Sequence, residues 1–264
     1  MKYVVITGAY GGMGYAAAKA LAAHGYGVFA LDKTVREAEE NIVPVEVDVT
    51  DAASVERAVA AVRAQTDEIY AILHFAGIYR LDSLVEMSEE RFVEIFNVNL
   101  FGAYRVNKTF LPLLTAGSRV VLTTSELAPL DPLPFTGIYA ITKTALDKYA
   151  YSLRMELQLL GIKVSVIRPG AVDTGLLAVS TRELDRFCES TQIYTYNAAR
   201  FKKIVNDVEA KRVAPAVVAE TALRALTARR TKYVYAVNRN PLLRLLNLLP
   251  AKCQTAVIGK ILKN

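Results

Sequence analysis

Short apolar runs alternate with longer segments of helical periodicity through the first two-thirds of this chain. Tyr3-Val4-Val5-Ile6 is a continuous apolar run, and an alanine-rich segment of helical character occupies residues 15–25. Further runs at 27–31, 43–49, 69–77, 119–125, 163–168 and 232–237 are rich in Val, Ile, Leu and Tyr and are bounded by Gly, Pro or Asp, which predicts strands. Helices are predicted between them. Thr50-Asp51 opens one that runs to about Ala64, and Ser88 reads as an N-cap. A long helix spans about 99–114, and another runs from Thr142 to Leu160 before Gly161 closes it. Strands that alternate with helices predict a parallel sheet covered on both faces. The fold class is therefore α/β, a doubly wound parallel sheet of about seven strands in one domain.

Composition agrees with this. The chain has 264 residues, of which 53% are apolar and 22% charged, enough to bury a sizeable core. No apolar run reaches the ~20 residues that span a bilayer. The first strand begins at Lys2, which leaves no room for a signal peptide, and Cys188 and Cys253 lack metal-ligand spacing. These features predict a cytoplasmic protein with free thiols, and two histidines argue against a zinc site. The net charge of +6 is uneven: from Arg200 onward there are 14 Lys/Arg and three Asp/Glu. No nucleic-acid module accompanies that charge, so nucleic acid is not an expected partner.

The informative motif lies between the first strand and first helix: Thr7-Gly8-Ala9-Tyr10-Gly11-Gly12-Met13-Gly14. A strand, a glycine turn and a helix N-terminus together present backbone N–H groups and a positive helix end to a phosphate. Gly8 permits the tight turn, Gly12 lets a pyrophosphate approach, and Gly14 lets the helix pack on the strand. Asp32 ends the second strand, where a carboxylate accepts both ribose hydroxyls and repels a 2′-phosphate. That predicts NAD(H) over NADP(H), although Lys33 and Arg36 stand close by.

A second constellation carries chemistry. Tyr139 and Lys143 are four residues apart and so share a helix face. An ammonium beside a phenol favours phenolate and would lower a pKa that is otherwise ~10. Ser125 ends the fifth strand, where its hydroxyl can hold a substrate oxygen. An amide at Asn99 can interrupt the helix ladder and anchor a water.

Together these residues resemble the short-chain dehydrogenase/reductase family, in its branch of about 250-residue subunits. The resemblance covers nearly the whole chain, and the motifs occur in the family's order. Asn99, Ser125, Tyr139 and Lys143 match its catalytic four. Gly8, Tyr10, Gly12, Met13 and Gly14, with Asp32, match its cofactor turn and ribose ligand. Asp48-Val49 matches the adenine contact, Ala76-Gly77 the turn after the fourth strand, and Pro169-Gly170 with Val172 and Thr174 the nicotinamide segment. Tyr139 and Lys143 also contact the nicotinamide ribose. Two departures stand out. Phe75 replaces the Asn usual before the Ala-Gly turn, and the interval from Ser125 to Tyr139 is one residue longer than usual.

The resemblance implies hydride transfer between a nicotinamide and a carbon bearing oxygen, in a homodimer or homotetramer. Leu130, Phe135, Leu176 and Leu177 are candidate substrate contacts, with a lid at about 175–212. Their apolar character suits a bulky lipophilic alcohol or ketone, and the chain looks most like hydroxysteroid dehydrogenases acting on steroids or bile acids. A 3-oxoacyl thioester reductase and a retinol dehydrogenase are alternatives, and a non-catalytic dinucleotide sensor is a remote one. A tail at about 239–264 is apolar with basic flanks. It fits three roles: resting on a membrane surface, covering the pocket, or packing against another subunit. The last two are favoured.

Overall fold

The computed structural model describes residues 1–207 and 211–263, with the side chains of Leu177 and Asp207 excepted. Seven strands form one sheet: β1 (Lys2–Thr7), β2 (Tyr26–Asp32), β3 (Ile42–Glu46), β4 (Ile69–His74), β5 (Leu114–Thr123), β6 (Lys163–Pro169) and β7 (Val234–Val237). Their order is β3-β2-β1-β4-β5-β6-β7, and every pairing is parallel. The central strands are buried along runs of consecutive apolar residues because helices cover both faces. Helices α1 (Gly12–Ala23) and α8 (Pro215–Thr227) pack on one face, joining Val4, Ile6, Ala18, Leu21, Val218 and Ala222 in one core. Helices α2 (Ala52–Arg63) and α4 (Gly102–Phe110) cover part of the other, where Val55, Val62, Val106 and Phe110 meet Val5, Phe29 and Ile72.

The strand order reverses between β1 and β4, so the loops after these strands diverge and open a crevice at the carboxyl edge. Thr7 bridges that point. Its carbonyl accepts from the Phe75 N–H at 2.9 Å, and its hydroxyl accepts from Ala76 N–H at 3.4 Å. Thr7 thus steadies the end of β4 although Phe75 stands where the family usually has Asn.

Several boundaries differ from expectation. The third strand stops at Glu46, so Asp48 and Val49 lie in a loop; Pro44 pairs within this edge strand. β5 begins at Leu114, five residues early, by way of an irregular pairing with β4. The helix carrying Tyr139, α5 (Gly137–Leu157), starts before Thr142. Residues 89–110 form one nearly continuous helical segment: α3 (Glu89–Phe96), a π-helical turn (Asn97–Phe101), then α4. Between β6 and β7 come α6 (Gly175–Ser190), α7 (Thr195–Asp207) and α8, and the chain ends with α9 (Pro241–Leu246) and α10 (Ala251–Leu262).

Candidate active site

Gly8 has φ +63°, and a Cβ there would come within 2.5 Å of Ala76 N across the switch point. A Cβ on Gly14 would strike the Gly8 carbonyl, which is how α1 comes to lie against its own turn. Gly12 faces Thr174, whose Cβ would be 2.7 Å from a side chain at that position. The glycine turn and the loop after β6 are thereby brought face to face. Met13 packs beside the α1 core, and Val172 is buried and bridges to Val213. Pro169 ends β6, and the next residue, Gly170, donates its N–H to the Val237 carbonyl at 2.8 Å.

The crevice itself is a cleft of about 500 Å³ lined by Gly8, Tyr10, Asp32, Asp48, Val49, Ala76 and Gly77. Asp32 closes its far end. One carboxylate oxygen accepts from the Tyr10 N–H at 2.9 Å and the other from the Lys33 N–H at 2.8 Å. The Lys33 ammonium turns to Asp48 at 2.9 Å. Arg36 lies over the Tyr15 ring, 4.5 Å from its centroid, and 5.3 Å from that of Tyr10. Burial would raise the Asp48 pKa, but hydrogen bonds from Thr50 and Lys33 outweigh it and leave the carboxyl below its usual range. The cleft thus offers a glycine turn with Gly8 at positive φ, room where side chains are missing, and a carboxylate at the end of β2, features that suit a dinucleotide.

Asn99, Ser125, Tyr139 and Lys143 converge beyond the Ala76-Gly77 turn. Asn99 sits within the π-helical turn. Its Oδ1 accepts from Ile78 N–H at 2.8 Å, while Nδ2 donates to the Ile78 carbonyl at 3.0 Å and Thr142 Oγ1 at 3.1 Å. The widened turn places this amide inward, a feature residue periodicity does not reveal. Lys143 Nζ donates to the Thr123 carbonyl at 3.2 Å and lies 5.7 Å from the Tyr139 ring centroid. Gly77 leaves the gap between them, since a Cβ there would sit 3.2 Å from Asn99 Oδ1 and 3.4 Å from Lys143 Nζ.

Burial dominates the electrostatics. It pushes Tyr139 up to about 12, against a hydrogen bond with Ser125 that pulls the other way. It lowers Lys143 to about 8, because an ammonium loses hydration there. In the protein by itself desolvation thus dominates the phenol, and the opposing pull comes from Ser125, not from Lys143 as expected. His74 is also buried, and its Nε2 lies 2.8 Å from Asn107 Oδ1, whose amide donates to the Tyr149 hydroxyl. It serves the interior, as a packed strand residue does.

Residue periodicity gave no sign of Tyr79, whose ring centroid stands 4.8 Å from that of Tyr139. Nor did it show the ion-pair cluster beside this ring. Arg91 and Arg186 both reach Asp82 and Glu183, and Arg80 joins Glu183 to Glu94. Arg80–Glu183, Arg91–Glu183 and Arg186–Asp82 join partners about 100 residues apart in sequence, so spacing carries no signal of these pairs. Glu86 adds bonds to Thr191 Oγ1 and to the N–H groups of Gln192 and Ile193.

The candidate substrate residues are distributed unequally. Leu130 and Leu176 are half-buried on loop 126–136 and at the start of α6. The Leu177 side chain lies outside the described residues. Phe135, at φ +66°, turns its ring into a packed cluster with Phe187, Tyr194 and Phe201, at 4.6, 5.4 and 5.5 Å. It therefore fastens the loop to α6 and α7.

Residues 2–185 match the family described as short chain dehydrogenase. The chain belongs to the short-chain dehydrogenase/reductase family. It is thus an oxidoreductase of alcohols and ketones whose fold takes a nicotinamide dinucleotide. Estradiol 17-beta-dehydrogenase 2 of Mus musculus is 30% identical over 99% of this chain and 74% of its own length. The 3-ketodihydrosphingosine reductase of Bacteroides thetaiotaomicron is 28% identical over 78% of the chain and 76% of its own length. Among solved structures, a short-chain dehydrogenase from Streptomyces avermitilis superimposes with a TM-score of 0.77 over 98% of this chain and 96% of that one, at 23% identity. Among the described residues of this dehydrogenase, no helix is long and apolar enough to cross a membrane.

Proposed function

We propose that this dehydrogenase interconverts a secondary hydroxyl and a ketone on a bulky lipophilic molecule of the steroid class, using NAD(H). The observation that carries the cofactor preference is the state of the cations around Asp32: Lys33 is paired with Asp48, and Arg36 lies on two aromatic rings. Neither is free to meet a 2′-phosphate, and the Asp32 carboxylate repels one. The substrate class rests on the similarity to estradiol 17-beta-dehydrogenase 2 over nearly the whole chain, and on the apolar residues Leu130 and Leu176 at the mouth.

A bound oxidised nicotinamide supplies the hydride acceptor at its C4 and a positive charge that favours phenolate. In that direction Tyr139 accepts the proton of the substrate hydroxyl as the C–H bond breaks. Ser125 donates a hydrogen bond to the same oxygen. Lys143 would hold the nicotinamide ribose and take on the proton that Tyr139 gives up, passing it outward through water anchored at Asn99. Helices α6 and α7 form the lid, clamped by Phe135 and by the ion pairs of Arg91 and Arg186. Subunits pair through α4, the π-helical turn before it, and α5, whose outer faces leave Phe101, Tyr104, Tyr151 and Met155 exposed.

A panel of hydroxysteroids, long-chain 3-oxoacyl thioesters, retinol and short alcohols, assayed with both cofactors, tests this reading. Steroid turnover with NAD above all others is expected. Turnover confined to the thioesters with NADPH would replace it.

A further inference from the structure

The C-terminal tail has an inner and an outer face, and they differ in kind. Its inner face is hydrogen-bonded to the loop that follows Ser125. Asn240 N–H donates to Glu126 at 2.6 Å, Asn247 Oδ1 accepts from Asp131 N–H at 2.6 Å, and Gln254 Nε2 donates to Asp131 at 2.9 Å. Asn197 Nδ2 on α7 donates to the Leu262 carbonyl at 2.6 Å, and Leu262 is buried in the Phe135 cluster. Gln254, Ile258 and Leu262 are four apart, so they form the inner stripe of α10.

The outer face has no partner among the described residues. Leu242, Leu245 and Leu248 are 59%, 62% and 80% exposed, and Leu249 is exposed beside them. Asn240 caps α9 by accepting from Leu242 and Leu243 N–H, which directs Leu243 and Leu246 inward and leaves the other leucines outside. On α10, Lys252, Lys260 and Lys263 share a shallow groove with Thr255, Ala256 and Gly259, opposite the inner stripe. Residues 239–263 hold five Lys/Arg (239, 244, 252, 260 and 263) and no Asp or Glu.

We infer that the outer face of α9 and α10 seats this enzyme on the surface of an anionic lipid bilayer. Leucines that enter the acyl boundary and lysines that meet headgroup phosphates are the two elements of an interfacial helix. A second copy of the chain is a poor occupant. A twofold contact lays this face against itself and would oppose the cations of one tail to those of the other, with no carboxylate of residues 239–263 between them. The consequence for catalysis rests on the function proposed above: the membrane lies beside the mouth from which a lipophilic substrate enters. The lipid contact itself needs no substrate and is tested without one.

Co-sedimentation of the full chain with phosphatidylcholine vesicles, with and without phosphatidylserine, reads it directly. Binding is expected to the phosphatidylserine vesicles at low salt and to weaken as salt rises. The double variant Leu245→Asp/Leu248→Asp, and separately Arg244→Gln/Lys252→Gln, should each bind about tenfold more weakly while melting like the parent. All four side chains are exposed, so folding is not at stake. A parent protein that stays in the supernatant, or leucine variants that bind like it, would overturn the inference. So would leucine variants that dissociate an oligomer in solution, since the face would then be a subunit contact.

Discussion

The Tyr79 ring stands 4.8 Å from the Tyr139 ring, tilted by 52°. Burial raises the Tyr79 pKa, and Tyr139 and Glu183 raise it further, so it stays a neutral phenol while its neighbour changes charge. A neutral ring in this place fixes Tyr139 against the loop after β4 without competing for its proton. Tyr139→Phe should lower kcat by about a thousandfold, the scale of a lost general base, and leave cofactor binding nearly intact. Tyr79→Ala should lower kcat/KM about tenfold by freeing the ring of Tyr139, and Tyr79→Phe should restore most of it. Steady-state kinetics with cofactor titrations separate these effects. Equal losses from Phe and Ala at position 79 would show that the hydroxyl, not the ring, matters.

Asp32 does two things at once. It holds the Tyr10 N–H of the glycine turn at 2.9 Å, and it lines the cleft where we propose that the adenosine ribose binds. Asp32→Ala removes a charged acceptor worth about 2 kcal/mol, so KM for NAD should rise about 30-fold. KM for NADP should fall, because the carboxylate that repels a 2′-phosphate is gone. Cofactor KM values for parent and variant decide it; a parent that already prefers NADPH would reverse the assignment.

Gly77 holds open the space between Asn99 and Lys143. An alanine Cβ would lie 3.2 Å from Asn99 Oδ1 and 3.4 Å from Lys143 Nζ, and its backbone needs no left-handed conformation. Gly77→Ala should therefore fold normally but displace the amide or the ammonium by a few tenths of an ångström. A tenfold fall in kcat with little change in melting temperature is expected, since misplacement of this size acts on positioned groups. Parent-like kcat would mean that neither group is held as tightly as its hydrogen bonds suggest.

How much of this was legible in the residues depends on the range of the interactions. The sheet, its parallel sense and the glycine turn rest on local patterns, and the structure agrees with them. Ser125 beside Tyr139 was legible because one closely follows a strand, β5, which ends at Thr123, and the other lies in the first turn of the next helix. Strand limits moved where hydrogen-bond pairing overrode side-chain pattern: Leu114 joins β4 through an irregularity, and the run at 43–49 ends its ladder at Glu46. The π-helical turn at Asn99 changes the hydrogen-bond step, not the residue types. Phe135 has the composition of a pocket residue, but its left-handed backbone aims it into the α6–α7 cluster. The Arg91–Glu183 pair spans 92 residues and depends on the finished fold.

His74 gives the fold a measurable pH dependence. Burial lowers its pKa to about 4, against the hydrogen bond with Asn107, while an unfolded histidine titrates near 6.5. Between these values the unfolded chain binds a proton that the folded chain excludes, so stability falls as pH drops from 6.5 towards 4. The full difference is about 3 kcal/mol, absent above pH 6.5 and complete near pH 4. His74→Gln keeps a donor for Asn107 Oδ1 and cannot titrate. Urea unfolding at pH 7.5 and pH 4.5 should show the parent losing more stability than the variant, by most of that figure. Carboxylates that titrate in the same range act on both proteins and cancel in the comparison. Parallel losses in the two would place the acid sensitivity elsewhere and show that His74 accepts its proton inside the sheet.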